Sequence, residues 1–250
     1  MRLLRAHPDA GPIAPTTNGL LAALPREDLE VLRPQMRLVD MPIAHALSQP
    51  GEPLAHTYFP VEGMVALLYV SPAGDSTELA VVGREGLVGV SLVMGNGITP
   101  NLALAQSACR AWRVPSRSLQ ARFDRGGRMQ QVFLRFVQAL IAQISLTAVC
   151  NLHHNVEQQL CRWLLLSLDR LAGNDLQVTH ELIASLLGVR RQGVTEAARH
   201  LEKLRIIRQT RGHITVLDRP RLEQECCECY AVVRREYDRL LGPGRPDGAS

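Results

Sequence analysis

The chain has 250 residues, a formal net charge of +4 and 46% hydrophobic residues, a composition that excludes disordered and fibrous proteins. This length is sufficient for one large domain or two smaller ones. The positive charge is concentrated, because the window from Arg190 to His213 holds seven Arg or Lys and only two Glu. A local basic patch on a nearly neutral body is typical of nucleic-acid binding, although a basic, solvated helix is the alternative.

The N-terminus MRLLRAHPDAGPIAPTTNG lacks the apolar core and the cleavage pattern of a signal peptide. We find no apolar run that approaches the roughly 20 residues of a membrane span. The nearest run, ALIAQISLTAVC, is interrupted or flanked by Gln143, Gln138 and Arg135. The six cysteines do not form regularly spaced pairs, which favours a reduced, cytoplasmic setting and no membrane partner.

Residues 1–19 are rich in Pro, Gly, Thr and Asn, and we expect a flexible N-terminus there. The next stretch, LLAALPREDLEVLRPQM, predicts two short helical pieces, with Pro25 at a start and Pro34 near an end. From about Arg37 to Val114, short apolar runs alternate with the turn sequences PVEG, SPAGD, GREG and MGNG. This spacing predicts an all-β sandwich or barrel, with a hairpin turn at SPAGDS.

After Pro115 the apolar residues adopt a helical period that continues for more than 25 residues. No second helix layer in the first half could cover so wide an apolar stripe. We therefore expect a dimerisation helix that packs partly on its own β domain and partly on a twin, the alternative being a helix packed wholly in its own core. The predicted dimer interface consists of Met129, Val132, Phe133, Phe136, Val137, Leu140 and Ile144.

The stretch IASLLGVRRQGVTEAARHLEKLRII has the spacing of a helix-turn-helix. A helix of about residues 156–171 and the loop AGND precede it. Thr179 is a good N-cap, and Gly188 stands where the turn needs a positive φ. The apolar residues that follow Thr179 and Gly188 supply the buried faces of the two helices. These residues are Leu182, Ile183, Leu186 and Leu187 in the first helix, and Val194, Ala198 and Leu201 in the second.

The other face of the second helix carries residue types that reach base edges in DNA: Arg for guanine, Gln for adenine, Glu for cytosine and Thr for a thymine methyl group. After it, IIRQ and HITVL predict a winged hairpin joined by TRG, whose basic residues could meet phosphates. The predicted DNA-binding residues are Arg190, Arg191, Gln192, Thr195, Glu196, Arg199, Arg208, Arg211 and His213.

The tail RPRLEQECCECYAVVRREYDRLLG predicts one last amphipathic helix, ended by Gly242 and Pro243. Cys226 and Cys229 would share a face of it and could hold a metal with help from elsewhere. We favour the alternative, in which these cysteines are small buried apolar residues, and we expect no metal and no cofactor.

For His153 and His154, at the break NLHHN, we favour a hinge or capping role over a ligand role. Arg84 and Glu85 are interpreted as turn residues.

This order of a β-rich half, a long helix and a winged helix-turn-helix resembles the Crp/Fnr family of bacterial transcription regulators, from about Leu20 to Leu241. The most specific parts are THELIASLLGVRRQGVTEAARHLEKLRIIRQTRGHITVLD and CECY, which looks like one subgroup. The resemblance implies an α+β protein: an N-terminal β jelly roll of the cyclic-nucleotide-binding type, a long dimerisation helix and a C-terminal winged helix-turn-helix. The expected parts are residues 1–19 (flexible N-terminus), 20–125 (sensor domain), 126–155 (dimerisation helix), 156–242 (DNA-binding domain) and 243–250 (flexible tail).

The chain departs from the family pattern at the effector site. Cyclic-AMP-responsive members hold the ribose with a Gly-Glu pair and grip the phosphate with an Arg, whereas here Gly89 precedes Val90. The later run offers Pro100, Asn101 and Leu102 without an arginine. A cyclic phosphate in an apolar cavity without a cationic partner is unfavourable, so we expect an effector other than cyclic AMP, or none.

Two further departures concern iron and the DNA site. The chain has no cysteine before Cys109, which excludes the N-terminal iron–sulfur chemistry of the oxygen-sensing members. The common Arg-Glu-x-x-x-Arg triple of the recognition helix is Arg191, Gln192 and Glu196 here, so the preferred DNA site should differ from the familiar one.

The sequence thus predicts a transcription regulator that acts as a homodimer on a palindromic promoter site. Its expected partners are double-stranded DNA, a second copy of itself and, for an activator, RNA polymerase. The alternative is a small-molecule or redox sensor whose main output is protein contact. We do not expect an enzyme, because the chain has no phosphate loop with Lys, no HExxH and no nucleophile elbow.

Overall fold

The N-terminal half is a sandwich of two antiparallel sheets in a computed structural model that describes residues 13–95 and 97–242. One sheet has the order β1-β7-β3 and the other β2-β6-β4-β5. The strands are β1 Arg37–Met41, β2 Ala46–Ser48, β3 His56–Glu62, β4 Val65–Val70, β5 Ser76–Val82, β6 Leu102–Ala105 and β7 Cys109–Pro115. We call this sandwich the β-roll. It confirms the predicted β-rich half, including the hairpin turn, where Ser71 N donates to Asp75 O at 2.8 Å.

Short helices accompany the β-roll: α1 Gly19–Ala22, α2 Arg26–Leu32, α3 Ser91–Met94 and α4 Ser116–Phe123. The two predicted N-terminal pieces correspond to α1 and α2. Residues 1–12 and 243–250, predicted to be flexible, lie outside the described residues. Residues 13–19, however, are held by Asn18, which is fully buried. Its Nδ2 donates to the carbonyl oxygens of Pro60 and Gly86, both at 2.8 Å. The predicted flexibility is therefore wrong here, because a side-chain amide satisfies two buried carbonyl groups.

Helix α5, Arg128–His153, is 26 residues long, as the apolar period predicted. Phe133 and Phe136 are fully buried against the β-roll. The backbone of Gly86 approaches the ring of Phe136 so closely that any Cβ would overlap it. Among the described residues, α5 is the one helix long and apolar enough to cross a membrane by length and composition alone; an 18-residue window of it has a mean hydropathy of 1.7, and 44% of that window is buried inside the protein. Arg135, Gln138 and Gln143 interrupt its apolar residues, so this measure does not contradict the expectation that no unbroken apolar run approaches a membrane span.

The remaining elements form a second unit, residues 156–242, which we call the head. Its elements are α6 Val156–Leu168, β8 Asp175–Gln177, α7 His180–Leu187, α8 Arg191–Lys203, β9 Ile207–Thr210, β10 His213–Val216, α9 Arg219–Glu225 and α10 Glu228–Leu241. Its three strands form a sheet of order β8-β10-β9. The head shares an apolar core with Ala66, Leu68 and Val81 of the β-roll, so the two units are packed together.

The predicted single tail helix is wrong, because α9 and α10 are separated by extended backbone at Cys226 (φ −80°, ψ 152°) and Cys227 (φ −72°, ψ 163°). Cysteine is a weak helix former, and the tertiary contacts of Cys227 decide its conformation. Cys226 and Cys229 therefore do not share one helix face as predicted. The end of α10 at Gly242 (φ 79°) is confirmed.

Candidate nucleic-acid interface

Helices α7 and α8 are joined by the predicted tight turn. Thr179 Oγ1 caps α7 by accepting from Leu182 N at 3.2 Å. Gly188 ends the helix in the left-handed region with φ 67°, a conformation that glycine adopts without strain. Ile183 is buried as predicted, but Leu182 is 38% exposed and does not belong to the buried face. These features fix the angle at which α8 leaves the turn.

Helix α8 has one buried face and one charged face. Val194, Ala198 and Leu201 are fully buried in the head, as the helical period predicted. Arg191 is 69% exposed, and its Nε lies 3.6 Å from Oε2 of the exposed Glu181. Such a solvated ion pair is worth little, so the Arg191 side chain is free to exchange this partner for another. The other exposed predicted residues of this region are Arg190, Gln192, Glu196 and Arg199.

A hydrogen bond on the charged face holds Gln192 and Glu196 together. Gln192 Nε2 donates to Glu196 Oε1 at 2.9 Å, with both groups exposed. The pair leaves the second amide hydrogen and the remaining oxygens open to an external partner. Side chains of this kind can recognise adenine or cytosine edges.

Thr195 is less available than predicted, because a polar network inside the head engages its hydroxyl. Thr195 Oγ1 donates to Arg191 O at 3.0 Å and lies 3.1 Å from His180 Nδ1. His180 Nε2 lies 2.7 Å from Gln209 Oε1, and Gln209 N donates to Glu202 Oε1 at 2.8 Å. This network ties α8 to α7 and β9. No sequence pattern indicated it, because its members come from three separate elements.

The predicted wing is the hairpin of β9 and β10, with Gly212 (φ 77°) in its turn. Arg208 and Arg211 are exposed on it. His213 has one ring nitrogen already engaged, because its Nδ1 lies 2.8 Å from Asp175 Oδ2. Hydrogen bonds from Thr215 and His213 lower the pKa of Asp175, so this carboxylate stays charged beside the imidazole. The wing therefore offers two exposed arginines and one histidine that is already paired.

Most residues predicted to form the dimer interface are buried within their own chain. Ile144 is partly buried against the β-roll core. The other six are at most 8% exposed within their own chain: Met129, Val132, Phe133, Phe136, Val137 and Leu140. The predicted interface is therefore wrong, because the apolar stripe covers the chain's own core. The large apolar residues exposed on α5 are Leu134 (47%), Ile141 (49%), Val149 (42%) and Leu152 (77%).

A buried polar network joins the β-roll, α5 and the head. Arg170, 8% exposed, donates through Nε to Glu85 Oε1 at 2.8 Å and lies 3.4 Å from Gln143 Oε1. Tyr237 OH donates to the same Gln143 oxygen at 2.9 Å, and burial raises the pKa of this hydroxyl. Glu85 is thus more than the turn residue that the sequence predicted. No local pattern announced this contact, since its partners are far apart in the chain.

Comparisons with known proteins follow the same division into two units. A cyclic nucleotide-binding domain model matches residues 42–125, and a Crp-like helix-turn-helix domain model matches residues 158–225. A β-roll followed by a winged helix-turn-helix defines a DNA-binding regulator. The chain belongs to the Crp/Fnr family of transcription regulators, which are not enzymes.

Individual relatives are distant. The chain is 25% identical over 186 residues to the global nitrogen regulator of Synechococcus elongatus, covering 70% of this chain and 83% of that protein. A Crp/Fnr-family transcriptional regulator from Eubacterium rectale is 17% identical with a TM-score of 0.66, covering 84% of this chain and 98% of that one. The c-di-GMP-responsive regulator CLP of Xanthomonas campestris is 15% identical with a TM-score of 0.62, covering 76% and 98%. At these identities the two structures show the shared α+β fold alone.

Proposed function

We propose that the protein acts as a homodimer that reads a palindromic DNA site through helix α8. The observation that carries this proposal is the outward face of α8, where Arg191, Gln192, Glu196 and Arg199 are all exposed. These side chains can form the bidentate and single hydrogen bonds that distinguish base pairs in the major groove. The buried opposite face keeps the helix rigid on the head, which gives such contacts a fixed register.

Phosphate contacts are assigned to the arginines around this face. Arg190 precedes α8, and Arg208 and Arg211 lie on the wing. Guanidinium groups at such positions orient a protein on the duplex without reading sequence. Thr195 and His213, each engaged inside the head, support the surface and contribute less directly than the sequence suggested.

The dimer seam is assigned to the open face of α5. Exposed residues recur there in alternating steps of four and three from Leu134 to Leu152, namely Leu134, Gln138, Ile141, Ser145, Ala148 and Leu152. This is the spacing by which two helices pack side by side in a coiled coil. A second copy is the partner that fits, because two-fold symmetry would set both α8 helices against the two halves of a palindrome.

The β-roll is proposed to sense an effector other than cyclic AMP. Val90, half-buried, precedes the short helix α3 as its N-cap, and Leu92 and Val93 beside it are buried. These apolar side chains offer nothing to pair with a cyclic phosphate. The likeness to a c-di-GMP-responsive regulator supports the idea that this fold serves more than one effector. The predicted boundaries of the sensor domain, the dimerisation helix and the DNA-binding domain belong to this proposal. So do a cytoplasmic location and, for an activator, contact with RNA polymerase.

The experiment is a selection from random duplex DNA with purified protein at physiological salt, first without an effector and then with metabolite extract. We expect a palindrome to be enriched. On that site, Arg191→Ala with Arg199→Ala should weaken binding by about 1–3 kcal/mol for each hydrogen-bonded base that the variant no longer reaches. The matched control is Arg33→Ala with Arg125→Ala, which removes the same charge from exposed positions outside the head.

The salt dependence adds a second readout. Replacing Arg208 and Arg211 by Ala should lower the slope of log affinity against log salt by about one for each phosphate that is no longer neutralised. The proposal fails if the α8 double variant binds no worse than its charge-matched control, or if neither condition enriches a palindrome.

A further inference from the structure

Four metal-binding side chains meet where the end of α5 contacts the start of α10. They are Cys150, His154, Cys227 and Cys229, and their ligand atoms all lie within 4.8 Å of one another. Cys150 Sγ is 3.6 Å from Cys227 Sγ, and Cys229 Sγ is 3.7 Å from His154 Nδ1. The three cysteines are at most 5% exposed. Residues more than 70 positions apart in the chain thus converge on one point.

We propose that these four side chains bind one Zn²⁺ in a tetrahedral site of three thiolates and one imidazole. With Zn–S near 2.3 Å and Zn–N near 2.0–2.1 Å, the edges of such a tetrahedron measure about 3.6–3.8 Å. The Cys150–Cys227 and Cys229–His154 contacts both have this length. Sulfur and nitrogen donors select zinc-like ions, whereas Ca²⁺ and Mg²⁺ require oxygen.

The backbone presents each ligand at the end of a helix. Cys150 lies in the last turn of α5, and His154 follows as its C-cap with extended backbone (φ −109°, ψ 150°). Cys227 is the N-cap of α10, and Cys229 lies in the first turn. A helix N-terminus stabilises negative charge, which suits two of the three thiolates. The break between α9 and α10 is what lets Cys227 face Cys150.

A second layer of contacts orients the histidine. Its Nε2 lies 3.5 Å from Glu228 Oε2, and such a carboxylate fixes the tautomer that leaves Nδ1 free for the metal. Gln159 Nε2 donates to the carbonyl oxygen of His154 at 2.9 Å. Nearby, the buried guanidinium of Arg162 donates to Thr147 Oγ1 at 2.8 Å, one turn before Cys150. Three thiolates with Zn²⁺ carry one net negative charge, which this cation balances.

A disulfide between Cys150 and Cys227 is the competing arrangement. Their sulfur atoms are 3.6 Å apart, whereas a disulfide requires about 2.05 Å. It would leave Cys229 and His154, already in contact, without a role. The metal accounts for all four side chains at once.

The site would fasten the head to α5 across the link at His154 and Asn155. If the proposed DNA-binding function holds, Zn²⁺ would fix the angle between α5 and the recognition helix α8. Loss of the metal would allow that angle to vary. The metal site itself stands without that function, because its ligands and geometry are independent of DNA.

The test uses the full chain, purified under reducing conditions without DNA. Metal content is measured by plasma mass spectrometry, and stripped protein is reloaded with Zn²⁺ or Co²⁺. We expect one ion per chain, the intense visible bands of tetrahedral Co²⁺ with thiolate charge transfer, and a higher Tm with Zn²⁺. Cys227→Ser and His154→Gln should abolish the cobalt bands, and Glu228→Gln should weaken binding by about 10–100-fold.

The matched control is Cys109→Ala in the β-roll, whose thiol is inert because burial raises its pKa to about 12. This variant should keep full metal content. Glu228 is 72% exposed, so its variant tests the site even if the cysteine variants fail to fold. The proposal is overturned if the purified chain holds no stoichiometric metal or if the cobalt spectrum is octahedral. It is also overturned if Glu228→Gln binds the metal with unchanged affinity, or if a Cys150–Cys227 disulfide persists under reduction. DNA binding that fails while metal binding persists would overturn only the proposed function.

Discussion

Both faces of α5 carry large apolar side chains, but only one face is covered within the chain. Phe136 is fully buried against the chain's own β-roll, whereas Leu134, two residues away, is 47% exposed. The covered face contributes to the folding of one chain. The open face contributes little to that folding, and we assign it to a second copy. Apolar character alone does not distinguish these roles, whereas the position of each side chain relative to the β-roll does.

The largest expected effect comes from the covered face. Phe136→Ala should lower the free energy of unfolding by about 3–5 kcal/mol, because it removes a buried ring and leaves a cavity. Leu134→Ala, the matched control, should change it by less than about 0.5 kcal/mol in the monomer. Urea denaturation of both variants at low protein concentration measures the difference. Equal decreases for the two would show that the faces are not distinct.

A smaller effect is expected from a carboxyl group where the β-roll meets the head. Burial raises the pKa of Glu78 from its ordinary value of 4.5 to about 7, against a hydrogen bond from Gln106 that lowers it. The folded protein therefore keeps a proton that the unfolded chain releases. This group's contribution to stability is complete below about pH 4.5 and declines until about pH 7.

The corresponding variant is Glu78→Gln, which stays neutral at every pH. At pH 8 it should be more stable than the native protein by on the order of 2–3 kcal/mol, and the difference should vanish near pH 4. Thermal unfolding across this range measures it, with Glu52→Gln, an exposed glutamate of the β-roll, as the control. A constant difference between pH 4 and pH 8 would contradict a titrating Glu78.

The smallest effect on stability, and the largest on association, is expected on the open face. Ile141→Glu should change the free energy of unfolding of the monomer by less than about 0.5 kcal/mol. It should weaken the proposed dimer at least about tenfold, since it places two like charges together at the seam. Sedimentation velocity compares it with Val31→Glu, an equally exposed apolar residue on α2 (53% against 49%). Identical sedimentation of the two variants would exclude this face as the seam.

The sequence-based predictions were correct where neighbouring residues determine the structure. The strands and their turns, the cap at Thr179 and the positive φ at Gly188 all follow from neighbouring residues, as does the division of α8 into buried and charged faces. The order of these parts also led to the correct family.

The sequence-based predictions were wrong or incomplete where contacts between distant segments determine the structure. The sequence predicts that the stripe on α5 packs partly on the chain's own β domain and partly on a twin, but it does not show that Phe133 and Phe136 lie against the β-roll. The contact of Glu85 with Arg170 and the meeting of Cys150 with Cys227 each join positions more than 70 residues apart. A period in one helix carries no information about such pairs.

The open face of α5 also bears on how families of this kind diversify. After a gene duplication, two copies of a regulator can at first form mixed pairs. In the proposed dimer, substitutions at exposed positions such as Ile141 and Ser145 can change which partner is preferred, because selection against the wrong partner acts there without unfolding either chain. New regulators could thus become independent of their siblings while the β-roll and its contacts with Phe136 stay unchanged.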